Sequence, residues 1–149
     1  MRAVVQRVLS AKVESEGVLL GSVGNGLLIL VGIAENDTQE DKDYIVDKCM
    51  NLRVFDDEKG VMNQSALDTG SGLLIVSQFT VMGDVRKGRR PSYIRAASPE
   101  KAKQMFEDTL DAFKKTGLAV ETGRFAADMQ ISLVNNGPVT ILLDSKKLF

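Results

Sequence analysis

Two segments constrain the fold more than any other feature of this chain: Gly24-Asn25-Gly26 leading into Leu27-Leu28-Ile29-Leu30-Val31, and Gly70-Ser71-Gly72 leading into Leu73-Leu74-Ile75-Val76. Each is a turn followed by a short, continuous apolar run, and both runs read as buried central strands. The Gly-x-Gly triplets do not open a dinucleotide loop, because the third glycine of that fingerprint is replaced by Ile29 and Ile75. Around these strands, Arg2 to Ser10 and Lys12 to Leu20 are rich in Val and Leu and read as strands, with a turn expected at Glu16-Gly17. The C-terminal third returns to the strand pattern at Leu118 to Glu121, at Asp128 to Val134, and at Val139 to Leu143 after a turn.

Two helices are punctuated clearly. Thr38 followed by Asp41 marks a capped start, after which Ile45, Cys49 and Leu52 recur on one face. Ser98 and Pro99 suit the N-cap and first position of a second helix, which places Ala102, Phe106, Leu110 and Phe113 on one face and stops at Gly117. Its Lys- and Glu-rich opposite face reads as solvated surface. No repeat or linker divides the 149 residues, so residues 1–149 are expected to form one α+β domain, a curved, barrel-like sheet with two main helices packed on it.

Composition excludes several kinds of chemistry. The chain has no histidine, which removes Ser-His-Asp and Cys-His nucleophile pairs and every His-containing metal site. None of its 20 acidic residues is spaced as in a calcium loop or a clustered carboxylate site, so no metal and no cofactor is assigned. The one cysteine, Cys49, falls on the apolar helix face and reads as core, and the chain is expected to work in the cytoplasm. The longest apolar run, Gly26 to Ala34, falls short of the about 20 residues a spanning helix needs, so no membrane partner is expected. A net charge of −1 gives no global attraction to nucleic acid; any such contact must be local.

Three segments depart from local rules. In Ser77-Gln78-Phe79-Thr80 an apolar strand ends in a polar cluster; this is either a plain strand end or a place where unpaired backbone N–H groups can stabilise an oxyanion. Between Asp84 and Tyr93, Arg86, Lys87, Arg89 and Arg90 concentrate positive charge in a loop that is either solvated or suited to phosphate contacts. In Asn135-Asn136-Gly137-Pro138-Val139-Thr140 the proline lacks the N–H of a central strand, so the position is a turn or an edge; nothing local calls for a cis bond. Taken alone, Arg7 reads as an exposed strand residue.

Together these residues resemble a family. Ser77 to Thr80 and the Asn-x-Gly-Pro-Val-Thr stretch at 135–140 are similar to the two signature motifs of the D-aminoacyl-tRNA deacylases. Met1 to Val8, Gly83 to Ser92 and Thr122 to Phe125 resemble further family segments in the same order. Departures are Ala126, where a glycine often follows the Arg-Phe pair, and Val81-Met82 after the threonine.

The resemblance implies hydrolysis of the ester joining a D-amino acid, or mischarged glycine, to tRNA. It implies a homodimer with active sites at the subunit interface, into which a cis Gly137-Pro138 from one subunit projects to reject L-residues. Ser77, Gln78, Phe79 and Thr80 then form the catalytic segment, Arg7 and Asn135 support the loop, and Phe125 and Met129 face the terminal adenosine. Arg86, Lys87, Arg89 and Arg90 become tRNA contacts. An aminoacyl ester is activated and has a neighbouring ribose 2′-hydroxyl, so a strong protein base is not required; Thr80 as a covalent nucleophile is the rival, weakened because Gln78 cannot serve as its base. A non-catalytic RNA-binding module using the 86–90 loop is the alternative from another class.

Overall fold

The computed structural model describes residues 1–149. Its elements are β1 (Arg2–Ser15), β2 (Val18–Val23), β3 (Gly26–Gly32), α1 (Gln39–Asn51), β4 (Phe55–Asp56), β5 (Met62–Gln64), α2 (Ala66–Thr69), β6 (Gly72–Ser77), a 3-10 turn (Phe79–Met82), α3 (Pro99–Lys114), β7 (Val120–Thr122) and β8 (Gln130–Asp144). The main sheet runs β2-β1-β3-β6-β7, and β8 pairs with β1. β4 and β5 form a separate small hairpin.

The two apolar runs lie side by side as parallel partners, Leu27 opposite Leu73 and Ile29 opposite Ile75. Alternate residues serve different cores: Leu27, Ile29, Leu73 and Ile75 pack against Ile45, Cys49, Phe106 and Phe113, while Leu28, Leu74 and Val76 pack against Val8, Ala11 and Val13 on the other face. Burial on both faces is why these strands read as continuous rather than alternating. Gly26 and Gly72 are partners in this register, and a Cβ on Gly26 would lie 2.0 Å from the Gly72 carbonyl oxygen. The glycines therefore serve strand approach.

β1 does more than was expected of it. It runs unbroken for 14 residues, pairing with β3 through its first half, β2 through its second, and β8 along its length. Glu16 and Gly17, at φ 52° and 76°, make the expected turn. β2 curls toward β7, so that a Cβ on Gly21 would meet the Thr122 carbonyl oxygen at 3.0 Å, and the sheet is nearly closed into a barrel.

Both main helices form where expected. Asp41 accepts from the Thr38 N–H (2.8 Å) and from Lys146 (2.7 Å). Burial acts to raise its pKa, but these hydrogen bonds win and hold the carboxyl well below the usual carboxylate range. Cys49 is buried and its thiol is pushed up to about 12, which leaves it protonated and inert near neutral pH. On α3, Phe106, Leu110 and Phe113 are buried as read, joined by Thr109, whose hydroxyl donates to the Met105 carbonyl. No helix is long and apolar enough to cross a membrane.

The C-terminal strands differ from the sequence reading in two ways. β7 begins two residues late, at Val120, and the two strands expected around a turn at 135–138 are one long strand, β8. The turn survives as a bulge: Val8 pairs with Asn135 and Gln6 with Thr140, so two steps along β1 are matched by five along β8. Pro138 fits there because β8 is an edge strand.

Candidate active site

At the C-terminal ends of the parallel pair β3 and β6 lies a cavity of about 730 Å³, lined by Val31, Ile33 and Val76, by Ser77 to Thr80, and by Phe125 to Met129. Ligand sites favour this end of parallel strands, where backbone groups run out of partners. The Gln78 N–H still donates to the Val31 carbonyl at 2.8 Å, and the chain then tightens into the 3-10 turn, in which Val81 donates to the Gln78 carbonyl at 3.2 Å. A 3-10 turn leaves its first two N–H groups, here Phe79 and Thr80, without an internal acceptor. These donors stand at the rim of a largely apolar cavity, where a developing negative charge gains most from them.

The side chains here lack a base for Thr80. Its hydroxyl accepts from the Gln78 amide at 3.1 Å and bonds to no carboxylate or amine. Asp128 is the only formally charged residue lining the cavity, and its backbone carbonyl accepts from the Ser15 hydroxyl at 2.8 Å. No group of three or more His, Cys, Asp or Glu residues is placed to hold a metal ion.

Phe125 and Met129, expected near an adenosine, line the same cavity as Ser77 to Thr80. Gly137, Pro138, Arg7 and Asn135 do not; they form a second cluster where β8 bulges over β1. The Gly137–Pro138 bond is cis. Asn135 receives the Val139 N–H (2.9 Å) and donates to the Val139 carbonyl (3.0 Å), bridging the bulge as a strand partner would. Arg7 is not the exposed residue its local sequence indicates: it is 7% exposed and donates to the carbonyls of Asn136 (3.1 Å) and Val54 (2.6 Å) while pairing with Asp56 (3.1 Å). It thus ties the loop to the β4–β5 hairpin.

The basic loop leaves the cavity beside Tyr93. Asp84 and Ser92 exchange backbone hydrogen bonds of 2.9 Å that close it. Arg86 folds back onto Asp84, with Nε 2.9 Å from Oδ1, and its hydrogen bonds hold the Asp84 carboxyl well below the usual range. Lys87, Arg89 and Arg90 remain exposed and free of ion pairs.

The sequence reading missed Tyr93, Ala96, Ala97, Ala127 and Asp128 as cavity residues; an aromatic closing a basic run was the available signal for Tyr93. Ala126, marked as a departure from the family pattern, lines the cavity with φ 57°. That left-handed conformation disfavours any residue with a Cβ. Ala126→Gly is expected to stabilise the protein by roughly 0.5–1 kcal/mol, read as a raised denaturation midpoint. A lowered midpoint would contradict strain at this turn.

The D-Tyr-tRNA(Tyr) deacylase family model matches residues 4–144. D-aminoacyl-tRNA deacylases of Thermosipho africanus and Thermosipho melanesiensis are 58% and 55% identical, over the whole of both chains in each case; one from Clostridium botulinum strain Alaska E43 is 54% identical over the same span. Among solved structures, a c-Myc DNA unwinding element binding protein superposes with a TM-score of 0.92 at 40% identity, covering 97% of this chain and 98% of that one. A probable eukaryotic D-amino acid tRNA deacylase, 16% identical with a TM-score of 0.81 over 95% and 97% of the two chains, shares the fold.

Proposed function

The chain belongs to the D-Tyr-tRNA(Tyr) deacylase family and is a hydrolase of D-aminoacyl-tRNA, and from that premise we propose how its residues divide the work. The terminal adenosine and its aminoacyl ester occupy the cavity at the ends of β3 and β6, with Phe125 and Met129 against the adenosine. Ser77 and Gln78 border the ester, and the N–H groups of Phe79 and Thr80 stabilise the oxyanion formed when water attacks its carbonyl. One preorganised donor of this kind is worth about 2.7–4 kcal/mol, a hundred- to thousand-fold in rate. The ribose 2′-hydroxyl of the substrate assists the water, so Thr80 is neither base nor nucleophile.

The observation that carries this reading is the cavity itself, with backbone donors on one wall and no side-chain base for Thr80. Chirality is read by the carbonyls of Gly137 and Pro138, supplied by a second copy of the chain. Two features support the shared site: the loop lies outside its own subunit's cavity, and β8 keeps a free edge carrying exposed Leu133, Val134 and Leu142 beside it. A homodimer that covers this edge brings each loop toward a partner. Lys87, Arg89 and Arg90 contact tRNA phosphates, with Arg86 shaping the loop through Asp84. The setting is the cytoplasm, where aminoacyl-tRNA is made.

Release of amino acid from D-tyrosyl-, L-tyrosyl- and glycyl-tRNA, compared at equal concentration, tests the proposal. Rapid hydrolysis of the D- and glycyl esters with the L-ester spared is expected, because exclusion by backbone acts on the L side chain and glycine has none. Equal hydrolysis of the L-ester would remove the chiral role, and an inert glycyl ester would remove the glycine one.

A further inference from the structure

We infer that Tyr93 stacks on the nucleobase immediately 5′ to the terminal adenosine of the substrate. This deepens the proposed function and rests on its tRNA 3′ end entering the cavity. Three observations converge on the ring. Tyr93 lines the cavity and forms a T-shaped pair with Phe79, centroids 5.0 Å apart at 71°, and the two residues are 37% and 56% exposed. Two aromatic residues thus stand partly in solvent beside a cavity, where a core pair would be covered.

The ring's position is also built into the neighbouring backbone. Gly83 has φ −59° and ψ 131°, a conformation open to any residue, so its lack of a side chain is not demanded by the turn. A Cβ there would lie 3.1 Å from Tyr93 Cε1 and 3.0 Å from the Thr80 carbonyl oxygen. Gly83 therefore leaves room for the tyrosine ring.

The third observation is charge. Tyr93 directly follows the loop closed by Asp84 and Ser92, on which Lys87, Arg89 and Arg90 are exposed. An aromatic face bordered by unpaired cations is how single-stranded nucleic acid is held without reading its sequence: phosphates meet the cations and a base lies on the ring. The tRNA 3′ end is such a strand. With the terminal adenosine against the half-buried Phe125 and Met129, the base before it extends toward the more exposed Tyr93 and its basic loop.

D-Tyrosyl esters of adenosine and of cytidylyl-(3′,5′)-adenosine provide the test. For the wild type, kcat/KM should favour the dinucleotide, through KM. Tyr93→Leu, which keeps apolar bulk above Gly83 but cannot stack, should shrink that preference about five-fold or more, and Tyr93→Phe should keep it. An undiminished preference in Tyr93→Leu overturns the inference while leaving the deacylase reading intact; failure of the wild type to cleave either ester sinks both. A readout independent of hydrolysis is 2-aminopurine placed 5′ to the terminal adenosine of an uncharged RNA. Its fluorescence should be quenched on binding wild type and Tyr93→Phe, and quenching that persists with Tyr93→Leu also overturns the inference.

Discussion

Phe79→Pro should lower kcat for D-aminoacyl-tRNA roughly a hundred- to a thousand-fold relative to Phe79→Ala, the range expected for loss of one oxyanion donor. Both variants remove the ring, with its contact to Tyr93, and only proline removes the backbone N–H. Position 79 tolerates the change because it opens the 3-10 turn, where an N–H has no internal acceptor and the required φ is near proline's own. The preceding residue is compatible too: Gln78, at φ −145° and ψ 91°, already lies outside the α region that a following proline disfavours. In the same assay Thr80→Ala should retain most of its activity, since that hydroxyl has only an amide beside it. Equal kcat for the proline and alanine variants would show that the Phe79 N–H is not a donor to the transition state.

How far the sequence was legible follows from where each signal resides. The central strands were legible because burial on both faces writes itself into consecutive residues, as at 27–31 and 73–76. The helices were legible because their caps are local: Thr38 with Asp41, and Ser98 with Pro99. The continuity of β8 was not, because a bulge is defined by register against β1, and residues 135–140 alone carry the chemistry of a turn. The burial of Arg7 was hidden for the same reason, since its partners at Val54, Asp56 and Asn136 come from distant parts of the chain. The cavity is assembled from four separated stretches around positions 31, 78, 97 and 127, so only its motif-bearing walls could be named beforehand. The split between cavity and Gly-Pro loop is likewise a property of the folded chain, and it motivates the second subunit.

Gly137→Ala should disable chiral selection while leaving the fold in place. Gly137 sits at φ 127°, a region that residues with a side chain rarely enter. An added Cβ would lie 2.8 Å from Val139 Cγ2 and 2.9 Å from Arg7 Nη2, so something must shift. Arg7 cannot yield freely, because it is held by the Val54 and Asn136 carbonyls and by Asp56. The loop is therefore the part that moves, and its carbonyls with it. A displacement of about 1 Å at a positioning group can lower a rate on the order of a hundred-fold. None of residues 135–138 belongs to either buried core, which is why the variant should still fold and assemble.

The most direct measurement is the ratio of kcat/KM for D-tyrosyl-tRNA to that for L-tyrosyl-tRNA, determined for wild type and for Gly137→Ala at matched oligomeric state. A high ratio in the wild type that falls at least ten-fold in the variant, by slower D-turnover, admitted L-substrate or both, is the result expected if the loop reads handedness. An unchanged ratio in a folded, dimeric Gly137→Ala enzyme would contradict it and place chiral selection elsewhere in the cavity.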